Sequence, residues 1–193
     1  MPVAYLKKPW RIAKVKLART PTNYQKKLPE FHQLIDSTKP DVITGFESKL
    51  DASMSSAEGF PPNFIVYRKD RNCHEGVFIA VTDNIQATHR NDLDSNCEAV
   101  WMEIPAAGVK PLIIGSCYFP PGADDASSSE SINQLSNSMK KIKHLQKMHI
   151  LVCDDFNQPG INWKSHAMSI KSIAGAKLIQ DRKSTRLNSS HRL

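Results

Sequence analysis

The sequence predicts an α/β or α+β domain in which strands dominate and helices intervene. Three observations carry that reading. Seven short apolar runs, strand-length and mostly bounded by turn residues, follow one another along the chain. Two other stretches, Leu28 to Ile35 and Ile132 to Leu145, place apolar residues at helical spacing. The 193 residues suffice for one domain with a buried core, and 40% hydrophobic with 23% charged residues is ordinary globular usage.

Lys14-Val15-Lys16-Leu17 alternates polar and apolar residues, the pattern of a short half-buried strand. A helix is expected to start near Pro29, because the first helical position has no use for the missing N–H. Leu28, Phe31, Leu34 and Ile35 give it one apolar face, and Lys39-Pro40 ends it. Asp41 to Phe46 reads as a buried strand, followed by a polar loop from Ser48 to Pro62 with Gly59 and two prolines. Strands are expected at Phe64 to Arg68, Val77 to Val81 and Ala99 to Ile104, then at Pro111 to Tyr118 before the turn Pro120-Pro121-Gly122. Asp124 to Glu130 reads as a polar loop that can supply a serine cap, with Glu130 in the first turn of the helix behind it. Ile132, Leu135, Met139, Ile142 and Leu145 form that helix's apolar face. Met148 to Cys153 is the last buried strand, and Asp154-Asp155-Phe156-Asn157 stands at its carboxyl end. There are no internal repeats.

Composition narrows the class. No apolar run approaches the roughly 20 residues of a membrane span. Met1 to Arg19 is basic but lacks the continuous apolar stretch of a secretory signal. Cys73, Cys97, Cys117 and Cys153 are widely spaced, and three of them lie in apolar segments, where free cysteine behaves as a small buried hydrophobe. Neither a disulfide framework nor a zinc site is expected, and a soluble protein in a reducing, intracellular setting is. Residues 1–30 carry a net +7 and residues 164–193 a net +6, so the chain total of +7 leaves −6 for residues 31–163. The basic total is therefore weak support for a nucleic-acid partner.

Two acidic residues share one placement: Glu47 follows the run Asp41 to Phe46, and Asp155 follows Met148 to Cys153. Open α/β sheets collect ligands just past the carboxyl ends of their strands. One carboxylate there can hold Mg²⁺ together with substrate phosphate oxygens. A second can orient or deprotonate an attacking water. Taken singly, each acid reads better as a turn residue or helix cap.

The ordered set reads differently. Asp41-Val42-Ile43-Thr44-Gly45-Phe46-Glu47 is followed by Gly115-Ser116-Cys117-Tyr118-Phe119-Pro120-Pro121, then by Asp154-Asp155-Phe156-Asn157-Gln158-Pro159-Gly160-Ile161-Asn162-Trp163. From about Asn23 to Trp163 the chain resembles the endonuclease/exonuclease/phosphatase family, most closely the endonuclease domain of non-LTR retrotransposons. The resemblance implies a two-sheet α/β sandwich that nicks DNA with Mg²⁺ or Mn²⁺. It implies Glu47 as metal ligand with Asn23 as the early Asn beside the metal. It further implies Tyr118 at the scissile phosphate and Asp155 as the base, held by Asn157. Tyr118 as a core aromatic and Asn157 as an Asx turn before Pro159 remain alternatives. A non-catalytic remnant that binds phosphate or nucleic acid weakly, or a phosphatase acting on a phosphorylated lipid or sugar, are the alternative functions.

The chain departs from the family pattern at several positions. Asp154 replaces a glycine, Lys49 stands where Trp is usual, Glu75 interrupts a glycine run, and Phe119 takes the place of a common Arg. The family's closing Ser-Asp-His is absent, and His166 and His191 lack its Ser-Asp. Without that His the transition-state electrostatics are incomplete, so this chain is expected to be inactive. Residues Asp181 to His191 resemble the in-frame translation of a common short-read sequencing adapter, eleven codons in order. The expected organisation is a basic segment at 1–22 with a possible first strand, a truncated domain at 23–180, and a non-native tail at 181–193. The implied parent would hold the missing C-terminal half of the domain and a reverse transcriptase, and the resemblance places it in the nucleus.

Overall fold

The computed structural model describes residues 10–16, 24–46, 48, 50, 54–71, 75–106, 110–119, 125–144, 148–155, 157, 161–162 and 167–168. Strand β1 (Ile12–Lys16), helix α1 (Tyr24–Thr38) and strand β2 (Val42–Phe46) form a strand-helix-strand unit, and its two strands pair in parallel. The second such unit is β7 (Leu112–Tyr118), α3 (Asp125–His144) and β8 (His149–Asp155), again with its strands parallel. A helical crossover is what lets sequential strands run parallel. Antiparallel partners complete each sheet. β3 (Phe64–Arg71) and β4 (Glu75–Thr82) give the first sheet the order β1-β2-β4-β3. β5 (Thr88–His89) and β6 (Ala99–Ile104) give the second the order β5-β6-β7-β8. A further antiparallel pair joins β9 (Ile161–Asn162) and β10 (Ala167–Met168).

The sheets stack face to face with a helix on each outer side. Between them pack Val42, Phe46, Val77, Ile79 and Val81 from the first, against Val100, Met102, Ile104, Ile114 and Tyr118 from the second. On the first sheet's outer face, Phe31 and Ile35 of α1 meet Val15, Ile43, Phe78 and Ala80. On the second sheet's outer face, Ile132, Leu135, Met139 and Ile142 of α3 meet Trp101, Ile113, Cys117 and Val152. Both faces of the central strands are thus buried. That is why Val77 to Val81 reads as one apolar run and not as an alternation. The chain is a two-sheet α/β sandwich. No helix among the described residues is long and apolar enough to cross a membrane. Cys97, Cys117 and Cys153 are free and buried, and Cys73 lies outside the described residues.

Several element boundaries differ from the sequence expectation. α1 begins at Tyr24, so Pro29 sits inside it, in the second turn, where it cannot donate the i→i−4 hydrogen bond. α3 begins at Asp125, so the stretch read as a polar loop is largely helix; once the apolar face nucleates a helix, extension over polar residues is cheap. The loop from Ser48 to Pro62 holds a short helix, α2 (Ser56–Gly59). It is closed by a capping box in which the Ser55 hydroxyl accepts from Ala57 N–H and the Glu58 carboxylate accepts from Ser55 N–H at 2.9 Å. β8 runs two residues past Cys153, so Asp154 and Asp155 are its last residues.

The end of α1 is made by an unusual residue. Lys39 has φ +43°, and its N–H donates to the Ile35 carbonyl at 2.7 Å, a left-handed helix cap. Glycine fills that role without the Cβ penalty. Lys39→Gly is expected to raise unfolding stability by about 0.5–1 kcal/mol, and a urea midpoint at or below the parent's would contradict this.

Candidate active site at the carboxyl ends of three strands

β7 and β8 are parallel and in register, so Tyr118 and Asp155 are partners at their carboxyl ends, one step beyond the pair Cys117 and Asp154. The carboxyl end of β2 meets them from the opposite sheet. Ser116 Oγ donates to the Gly45 carbonyl at 3.0 Å, a buried tie between the sheets. One residue further on, the Phe46 ring stacks on Tyr118, centroids 6.0 Å apart and planes 10° from parallel. Three strand ends from two sheets therefore converge on one edge of the sandwich, the placement that collects ligands in such folds.

Each sequence candidate has a definite standing. Tyr118 is at this edge, 3% exposed, and its N–H donates to the Glu98 carbonyl at 3.0 Å. The ring belongs to the inter-sheet core, the place the core-aromatic alternative expects. Asn157 has φ +44°, a left-handed conformation that Asn tolerates, and its Nδ2 donates to the Phe119 carbonyl at 2.6 Å. That bond ties the segment after β8 to the segment after β7. Asp155 is placed by its backbone opposite Tyr118. Glu47 and Asn23 lie outside the described residues, as do Lys49, His166 and His191. Glu47 falls between Phe46, which is in the stack, and Ser48, whose N–H donates to the Gly76 carbonyl at 3.3 Å. Of the departures, Phe119 is buried in the core under α3, and Glu75 opens β4 opposite Arg71.

Sequence reasoning passed over three residues at this edge. Glu98, just ahead of β6, is a carboxylate only 8% exposed. Lys14 places its Nζ 5.3 Å from the Phe46 ring centroid. Lys69 reaches across from β3 to donate to the Cys97 carbonyl at 2.9 Å and to the Ser95 carbonyl. A charged residue directly before the buried run Ala99 to Ile104 was the available signal for Glu98. Burial pushes the Cys97 thiol above its ordinary pKa, against Lys69 and the Ser95 hydroxyl, which lower it. Cys97 is accordingly no ready nucleophile.

The candidate donors are carboxylate and amide oxygens, a hard set that suits Mg²⁺ and not a soft metal. Ser48, next to Glu47 in sequence, is fully buried, and its hydroxyl has no hydrogen-bond partner among the described residues. A buried polar atom without a partner costs stability and marks a place suited to a polar group or metal-bound water. By donor type, the candidate residues suit a divalent ion. Among the described residues there is no group of three metal-ligating side chains.

No protein-family model and no curated protein sequence matches the chain. Solved structures do. An AP endonuclease from Leishmania major aligns with TM-score 0.69 at 10% identity, over 91% of this chain and 66% of that one. An AP endonuclease from Archaeoglobus fulgidus aligns with TM-score 0.62 at 16% identity, over 89% of this chain and 70% of that one. The human Nocturnin catalytic domain with bound sulfate aligns with TM-score 0.58 at 12% identity, over 77% of this chain and 65% of that one. The chain thus spans just under two thirds of the Leishmania and Nocturnin structures. At such identities the likeness establishes the fold, and that fold is the endonuclease/exonuclease/phosphatase sandwich.

Proposed function

We propose that the edge formed by β2, β7 and β8 is a divalent-metal-dependent phosphodiesterase site for DNA, of the non-LTR retrotransposon type. The observation that carries the reading is the convergence of the carboxyl ends of β2, β7 and β8, with Phe46 stacked on Tyr118 and Asp155 in register beside it, in a fold shared with AP endonucleases. Glu47, with Asn23, would hold Mg²⁺ or Mn²⁺. The ion supplies Lewis-acid polarisation of a phosphate oxygen and charge neutralisation. Asp155 takes a proton from the attacking water, and Asn157 fixes the loop that presents it. Tyr118, braced by Phe46, aligns the phosphate. A Ser-Asp-His segment, which the resemblance implies for the charge that develops on the phosphate, is not among these 193 residues. A second reading, phosphate or nucleic-acid binding without cleavage, is favoured by Asp154 in a glycine's place.

The test is paired. Mn²⁺ titrated into the full chain and followed by electron paramagnetic resonance should bind at least about tenfold more weakly to Glu47→Ala. Supercoiled plasmid with Mg²⁺ should be nicked no faster by the parent than by that variant. Equal Mn²⁺ affinity in both proteins sinks the metal assignment. Nicking that vanishes in the variant overturns the inactivity and supports the site.

A further inference from the structure

A phosphodiester chain is a polyanion, yet residues 31–163 carry a net −6, so its approach to this edge calls for a fixed cation. We infer that Lys14 contacts a backbone phosphate of the bound nucleic acid, an inference that rests on the phosphodiesterase reading of the site. Lys14 lies on β1, an edge strand of the first sheet, two residues after Ile12. Ile12 packs against the inter-sheet core, and strand alternation puts Lys14 on that same face. Its Nζ stands over the Phe46 ring, which in turn stacks on Tyr118. The column Lys14–Phe46–Tyr118 therefore links β1, β2 and β7 where the strand ends converge. An ammonium held over an aromatic face is attracted by the negative face of the ring. It also has less side-chain freedom to lose on binding than a solvated lysine.

Among the described residues, several basic groups are directed to protein acceptors. Arg11 pairs with Asp41 at the opposite end of β2, at 3.2 Å. Arg68 pairs with Asp70 at 3.0 Å, and Arg90 with Asp92 and Glu103, both at 2.7 Å. Lys69 is directed to the Cys97 carbonyl. Lys14 stands in the aromatic column. As a point charge it suits a backbone phosphate, which carries no sequence information.

The experiment is fluorescence anisotropy of the full chain with a labelled single-stranded oligonucleotide, titrated across salt concentrations in Mg²⁺. Lys14→Met keeps an apolar stem over the ring and removes the charge, and Lys14→Gln is the second variant. Both should flatten the slope of log affinity against log salt by about 0.7, one phosphate contact on a single strand. Lys14→Arg should keep the parent slope, as should Lys140→Gln on the exposed face of α3. Circular dichroism melts establish that the variants fold. A parent-like slope in both neutral Lys14 variants overturns the assignment and leaves the phosphodiesterase reading standing. Equal flattening in Lys140→Gln overturns it as well, because binding is then diffuse. No oligonucleotide binding by the parent overturns both.

Discussion

Gly45→Ala is expected to lower stability by about 2–3 kcal/mol, the largest loss foreseen for any one-carbon change in this chain. Gly45 pairs with Phe78 in the register of β2 and β4, and an added Cβ would stand 2.2 Å from two carbons of the Phe78 ring. The ring cannot easily yield. Phe78 is fully buried and packs edge-on against Phe60, with centroids 4.9 Å apart. The Gly45 carbonyl also accepts the Ser116 hydroxyl that ties the two sheets, so a displaced backbone strains that buried bond too. Urea unfolding of the parent, Gly45→Ala, Phe78→Leu and the double variant measures the effect. If the clash is the cause, the double variant should recover at least about 1 kcal/mol relative to additivity. An unchanged midpoint for Gly45→Ala would show that the strand pair is looser than this geometry.

The same pair shows what local sequence can and cannot say. Val77 to Val81 was legible as a strand because a sheet covered on both faces leaves a continuous apolar run. That Gly45 must be glycine depends on a ring 33 residues away in sequence, and nothing near Gly45 signals it. The boundaries that moved are of one kind. Asp154 and Asp155 join β8 because β7 continues to Tyr118 beside them, a pairing invisible from the residues 148–155 alone. α3 reaches back to Asp125 because helix extension is cooperative, whereas cap preferences suggest a later start. The capping box at Ser55 and Glu58 was readable as Ser-x-x-Glu, but it introduces one turn with no apolar run behind it. β5, β9 and β10 are two residues each, too short for any periodicity.

For the site, the order of motifs located the carboxyl ends of β2 and β7 and placed that of β8 two residues early, and the fold brings those ends together. Lys14 escaped notice for a physical reason. Alternation marks it as the polar side of a half-buried strand, and polar sides are ordinarily solvent-facing. Here Val15 takes the face under α1, and the face shared by Ile12 and Lys14 borders the inter-sheet layer. The pattern was read correctly, but the layer outside it could be known only from the packing of the second sheet.

The assignment of Asp155 over its neighbour Asp154 has the largest expected effect on activity, and it can be separated from the gap left by the absent Ser-Asp-His. A fusion that supplies that segment of the family after Gln180 should nick plasmid DNA with Mg²⁺. In it, Asp155→Ala should lose about 10²- to 10⁴-fold, the usual contribution of a general base. Asp154→Ala should lose less than about tenfold. The difference follows from register. Residue 154 pairs with Cys117, which belongs with Val152 to the core under α3. Residue 155 pairs with Tyr118, which belongs with Leu151 to the inter-sheet layer and stacks on Phe46. Registered partners on neighbouring strands share a face of the sheet. By register, residue 155 belongs to the alternation of Tyr118 and Leu151, and residue 154 to that of Cys117 and Val152. A parallel comparison of Mn²⁺ affinity keeps the reading clear of folding defects, since Asp154→Ala should bind the ion as the parent does. Equal losses of nicking, or a greater loss at 154, would place the base one residue earlier and put β8 out of register with β7 at its carboxyl end.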